Sequence, residues 1–195
     1  MVTPHETIIV KVRPVRDQLL IIQEVLQAFQ KACTIVGRLA IKHRTRHPMR
    51  LQNLSYPELC PKKPEPGDFK LPSQYAIRAC NRIAHQLRLE KDGNPDPYPD
   101  RSFDVDSRLL SYDRSLQAIS ITTLAAIGVR GRPARDGVGR IKLAVSFDSK
   151  ENKDLFETGR FLGGHVVVTA RKAVLLIARI EPCPPKEEDL APGHA

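Results

Sequence analysis

Thr7–Arg13 reads TIIVKVR and is followed at once by Pro14, after which apolar residues recur every three or four positions from Arg16 to about Arg44. The first run is rich in β-branched residues and predicts a strand, which Pro14 ends because it lacks the amide that a ladder needs. In the second run Leu19, Ile22, Leu26, Phe29, Cys33, Val36 and Ala40 share one helical face, which predicts a long amphipathic helix. A strand that opens the chain and hands over directly to helix points to an α+β protein.

Downstream the signals change twice. Pro48, Pro57, Pro61, Pro64, Pro66 and Pro72 crowd residues 45–72, which reads as a semi-rigid connector with one helical turn near Leu51–Leu59. Helix period returns at Pro72 and Ser73, where Ala76, Ile77, Cys80, Ile83, Ala84 and Leu87 form an apolar face expected to pack on the first helix. DGNPDPYPD at Asp92–Asp100 closes the helical part, and strand-like runs follow: SFDVD, RLLSYD, QAISITTLA, GRIKLAV, HVVVTA and AVLLIARIE. A short helix is expected over Asp148–Phe156 and a hairpin turn at Arg171–Lys172. The N-terminal and C-terminal strands should be neighbours in one curled sheet, with the helices inserted between them.

The chain has 195 residues, 41% of them hydrophobic and 27% charged, the balance of a soluble globular protein rather than a disordered one. Its 31 Lys and Arg against 22 Asp and Glu give a net charge of +9, which favours a polyanionic partner, most often nucleic acid. The basic excess lies in residues 1–50 and 101–150, and the last stretch is faintly acidic. Cys33, Cys60, Cys80 and Cys183 form no Cys-x-x-Cys pair, so neither a zinc site nor a disulfide framework is supported and reduced thiols are expected. Thr3, Pro4, His5 and Glu6 do not make the basic start of a signal peptide, and no uninterrupted apolar run approaches bilayer length. A cytoplasmic protein without a membrane partner is the expectation.

Lys31, Arg38 and Lys42 are spaced to form a stripe along the first long helix, extended by His43, Arg44, Arg46, His47 and Arg50. On the later helix Arg78, Arg82, His85 and Arg88 recur at four, three and three residues, predicting a second basic stripe on the side away from the apolar one. Such stripes follow a phosphate backbone; the competing reading is a solvated face, and His85 reads as an exposed histidine without a partner. Gly128–Arg140, GVRGRPARDGVGR, predicts a mobile basic loop whose Arg130, Arg132, Arg135 and Arg140 order on RNA. Asp104, Asp106 and Asp113 form the acidic cluster of the strand half, and they read as turn residues accepting local amides rather than as a site for a divalent cation. There is no phosphate loop ending in Lys-Ser/Thr, no Gly-x-Ser-x-Gly and no His-Glu-x-x-His, so catalysis by this chain alone is not expected.

The order TIIVKVRP, QEVLQAFQKACTIVGRLA, Tyr56, LPSQYAIRACNRIA and VVVTARKAVLLIARIE resembles the N-terminal part of TnpB or OrfB-type proteins, transposon-encoded RNA-guided nucleases related to compact type V CRISPR effectors. The resemblance runs from Thr7 to Glu181, and Leu71–Ala84 is its most specific piece. It implies an oligonucleotide-binding-like β-barrel, the wedge, over residues 1–15 and 101–181, interrupted by a helical recognition insert over 16–100. Residues 182–195 then match an acidic, proline-rich linker to a nuclease domain. By the same resemblance Gln74, Arg78 and Arg82 would lie near nucleic acid on the recognition helix, and Lys11, Arg13, Arg140 and Lys142 in the wedge that holds the guide RNA.

The chain departs from that family where the chemistry resides. EPCPPKEEDLAPGHA is not followed by the strand bearing a first RuvC aspartate, and the four-cysteine zinc ribbon is missing. The implied function is therefore binding of a structured guide RNA and target double-stranded DNA without cleavage, with a RuvC-type nuclease half on another chain or a homo-oligomer as further partners. No cofactor is expected in this chain, and a divalent metal ion only in a separate nuclease subunit. The alternatives are a nuclease-free RNA-guided repressor, a truncated transposon relic, and a basic protein-interaction module.

Overall fold

The strand expected at the start is β1 (Glu6–Arg13), in a computed structural model that describes residues 5–61, 69–92, 98–99, 101–124 and 139–183. Ile8, Val10 and Val12 face the core while Thr7, Ile9, Lys11 and Arg13 face outward, the alternation of a half-buried strand. After Pro14 come α1 (Arg16–Lys42), α2 (Pro48–Leu59) and α3 (Ser73–Lys91). The remaining elements are β2 (Ser102–Val105), β3 (Leu110–Asp113), β4 (Ala118–Thr122), β5 (Arg140–Phe147), α4 (Lys150–Thr158), β6 (Arg160–Val168) and β7 (Val174–Glu181). The fold is α+β.

All seven strands form one antiparallel sheet in the order β2-β6-β7-β1-β5-β4-β3. The first strand thus lies at the centre, with Ile9 opposite Ile177 on β7 and Val12 opposite Val145 on β5. The two edge strands are consecutive in the chain, joined only by residues 106–109. That link reaches at most roughly 17 Å, whereas seven flat strands would hold their edges about 29 Å apart. The sheet therefore curls into a half-barrel.

α1 buries Ile22, Val25, Leu26, Phe29, Ala32, Val36 and Ala40, the face its period predicts, against α2, α3 and β2. Gln18 fixes its first turn: the side-chain oxygen accepts the Val15 amide at 3.0 Å and the side-chain nitrogen donates to the Lys142 carbonyl of β5 at 2.9 Å. By length and composition α1 qualifies as a candidate membrane span, with a window of mean hydropathy 1.3, although Gln23, Glu24, Gln27 and Lys31 interrupt its apolar residues. In this fold its apolar face is occupied by the other helices.

α2 corrects the reading of residues 45–72, because a twelve-residue helix stands where a single turn is expected. Pro48 occupies its first turn, where the ring pre-sets the backbone and no amide is needed, and Pro57 falls near the end, where one lost hydrogen bond is tolerated. Leu51, Ser55 and Leu59 recur every four residues and are buried. Residues 62–68 lie outside the described residues.

One core joins the helices to the sheet. Tyr75 of α3 stands edge-on to Phe29 of α1 and Phe103 of β2, with ring centroids 6.3 and 5.9 Å away. Its buried hydroxyl donates to the Thr122 carbonyl of β4 at 2.7 Å. At the other end α4, expected over Asp148–Phe156, is capped by Ser149, whose hydroxyl accepts the Asn152 amide at 3.1 Å. The expected hairpin joins β6 to β7 through Thr169–Ala173, with Lys172 in the left-handed region at φ 61°.

Candidate nucleic-acid interface

α3 crosses the sheet at β2, and the face that predicts a solvent-exposed basic stripe meets two aspartates of that region. Arg82 is 8% exposed and not on the surface, a correction to the stripe. Its Nε donates to Asp104 Oδ2 at 3.2 Å and its Nη2 to Asp104 Oδ1; Nη1 reaches the Ser102 carbonyl at 3.1 Å and Nη2 the Ser102 hydroxyl at 3.0 Å. The rings of Phe29 and Tyr98 lie 4.9 and 4.6 Å from the guanidinium carbon. Buried and ion-paired, with every guanidinium nitrogen hydrogen-bonded, Arg82 holds α3 against β2.

One turn earlier Arg78 pairs with Asp106 at 2.7 Å, and Gln74 donates to the same carboxylate oxygen at 2.5 Å. The other Asp106 oxygen accepts the amides of Arg108 and Leu109 at 3.0 and 3.2 Å, the turn role its position predicts. Asp113 does likewise for the Leu116 amide at 3.3 Å. Gln74, Arg78 and Arg82, which the resemblance carries toward nucleic acid, are thus held by the protein's own carboxylates.

Between α3, β6 and β7 lies a cleft of about 570 Å³, and Arg78, Asn81, Arg82, His85 and Arg88 face it from the helix. Asp104, Gly164, His165 and Arg179 face it from the strands, and Tyr98 closes one side. His165 Nδ1 lies 2.7 Å from Asp104 Oδ1. Burial raises the Asp104 carboxyl, but hydrogen bonds from His165 and Arg82 and the Arg82 charge outweigh it and hold the group below its ordinary value. An ionised carboxylate only accepts, so Nδ1 of His165 carries the proton. His85 is not without a partner as expected: its Nδ1 is 3.1 Å from the Tyr98 hydroxyl.

Among the described residues, two cations of the cleft have no carboxylate partner. Arg88 bonds only the Ala84 carbonyl, at 3.2 Å, and neither it nor Arg179 has an ion pair among the described residues. Arg179 is exposed on β7 opposite Gly163, whose missing side chain leaves it uncovered on that flank. Asn81, Tyr98, His165 and Arg179 are absent from the residues that the sequence nominates. The alternation of AVLLIARIE does put Arg179 on the outward face, which was the available signal.

The other nominated residues are dispersed. Lys31 lies 4.6 Å from the Phe69 ring, Arg38 makes paired hydrogen bonds to Glu58 of α2 at 2.8 and 2.9 Å, and Lys42 is exposed. Lys11, Arg13 and Lys142 share the outer face of adjacent strands, where Lys11 pairs with Asp148 at 2.5 Å and Lys142 with Asp113 at 3.7 Å. Arg140 donates to Ser120, Ser111 and Thr122 and ties β5 to β4 and β3. Arg130, Arg132 and Arg135 lie outside the described residues. Among the described residues no group of three or more His, Cys, Asp or Glu is placed to hold a metal ion.

Neither a scan against models of known protein families nor a search of curated proteins finds a match to this chain.

Proposed function

We propose that this chain is the guide-RNA-binding and target-engaging module of a TnpB-like, RNA-guided system, acting in the cytoplasm without cleavage chemistry of its own. In this reading the half-barrel is an oligonucleotide-binding-like wedge, α1–α3 are its recognition insert, and a RuvC-type nuclease half is carried by another chain. The observation that carries it is the cleft at the junction of insert and sheet, where Arg88 and Arg179, without an ion pair among the described residues, share one lining with the rings of His85, Tyr98 and His165. The strand, helices, strands order supports the same reading.

The test is to purify the chain from its native locus, wash at moderate salt and sequence the RNA that remains. One structured transcript species should dominate. Arg88→Ala combined with Arg179→Ala should weaken its binding and lower the slope of log K against log salt by roughly 1–2, the share of one or two phosphates neutralised by this pair. Absence of RNA, or a double variant with unchanged affinity and slope, overturns the proposal.

A further inference from the structure

We propose that the cleft between α3 and the β6–β7 hairpin receives a single unpaired nucleotide, with its phosphate on Arg88 and Arg179 and its base against the rings of His85, Tyr98 and His165. The inference rests on the nucleic-acid reading above and names the form of the ligand.

Charge selects the anion. Arg82 is neutralised by Asp104 and Arg78 by Asp106, which among the described residues leaves Arg88 and Arg179 as the surplus facing the same space. Two guanidinium groups suit one phosphate. The volume, about 570 Å³, lies within the range of pockets that enclose one small ligand.

The rings select an unpaired base. Tyr98 meets His85 and His165 edge-on, with centroids 5.8 and 5.4 Å apart and interplanar angles of 88° and 89°. A duplex hides its base faces and presents phosphates, so it would use the arginines and leave this wall idle; a splayed nucleotide uses both. Because Nδ1 of His165 is engaged by Asp104, Nε2 is the ring nitrogen left for a ligand, with no hydrogen bond to another of the described residues. Asn81 adds a side-chain amide to the same cleft. A base edge thus meets both donors and acceptors.

The test uses an eight-nucleotide single-stranded RNA carrying one 2-aminopurine, a blunt RNA duplex of the same sequence, and AMP as a competitor, all at one salt concentration. The single strand should bind at least about tenfold more tightly than the duplex, and the 2-aminopurine emission should change on binding. His85→Ala, an exposed position, should weaken the single strand by about five- to a hundredfold, the range of one lost base stack, and leave the duplex nearly unaffected. Competition by AMP identifies a free nucleotide as a sufficient ligand; no competition, with the emission change retained, identifies a nucleotide within a strand. Equal binding of duplex and single strand with unchanged emission overturns this inference and leaves the RNA-binding reading standing. Failure of every probe, and of the native transcript, removes both.

Discussion

A guanidinium buried between two helices and a strand survives only if nearly all its donors are used, and Arg82 uses three of its nitrogens on Asp104 and Ser102 while aromatic rings flank it. Removing one partner of such a pair leaves the other charge uncompensated in the interior, so Arg82→Ala should lower unfolding free energy by about 3–5 kcal/mol, and Arg82→Lys should not restore it because the fork geometry is lost. The Asp104 carboxyl is held below its ordinary value in the folded state, so it contributes stability above the unfolded pKa of about 3.9 and loses it as pH falls through the folded value. In urea titrations Asp104→Asn should therefore be less stable than wild type at pH 7, and the gap should shrink below about pH 4. A constant gap across that range would contradict the charge as its source. The spacing of Arg78, Arg82, His85 and Arg88 was legible in the sequence, but its direction was not. A helical stripe has the same period whether it faces water or carboxylates, and only the placement of β2 beside α3 brings Asp104 and Asp106 under it.

At the scale of elements, the cleft owes its floor to the pairing of β6 with β7. Gly164 stands opposite Ala178, and a Cβ there would fall 2.3 Å from the Ile177 carbonyl oxygen and 3.2 Å from Ala178 Cα. Both are backbone atoms of the neighbouring strand, so the strands must separate to admit a methyl group. Gly164→Ala should cost about 1–3 kcal/mol, read as a lower urea midpoint at unchanged m-value, and should weaken oligonucleotide binding because His165 and Arg179 ride on the displaced strands. Wild-type stability would mean that the two strands yield without loss. The strands and both long helices were legible because each shows a sustained period, whereas α2 was hidden by Pro48 and Pro57. Proline marks a break when counted, yet it is harmless in the first turn and inexpensive near the last, and the spacing of Leu51, Ser55 and Leu59 was the better signal.

The whole molecule is organised around its first strand. β1 is hydrogen-bonded to β7 on one side and β5 on the other, and its Ile8, Val10 and Val12 are at most 5% exposed. That the first and last strands are neighbours in one curled sheet was an expectation from the sequence, but the geometric cause of the curl was not legible there. The curl follows from the short link between the two edge strands, a fact of pairing order that no local pattern records. The helices are inserted between β1 and β2, so β1 cannot be held by its chain neighbours and depends on contacts more than 100 residues away. Removing residues 1–13 should leave the facing edges of β5 and β7 unpaired and three core positions empty, and the shortened chain should show no cooperative thermal transition by circular dichroism. A synthetic peptide spanning Glu6–Arg13 added in trans should restore that transition in a concentration-dependent way, since a ligand that binds only the folded state stabilises it by mass action. Cooperative unfolding of the shortened chain without peptide would show that the sheet closes by another pairing, with β5 against β7, and that the order derived for the half-barrel is not required for folding.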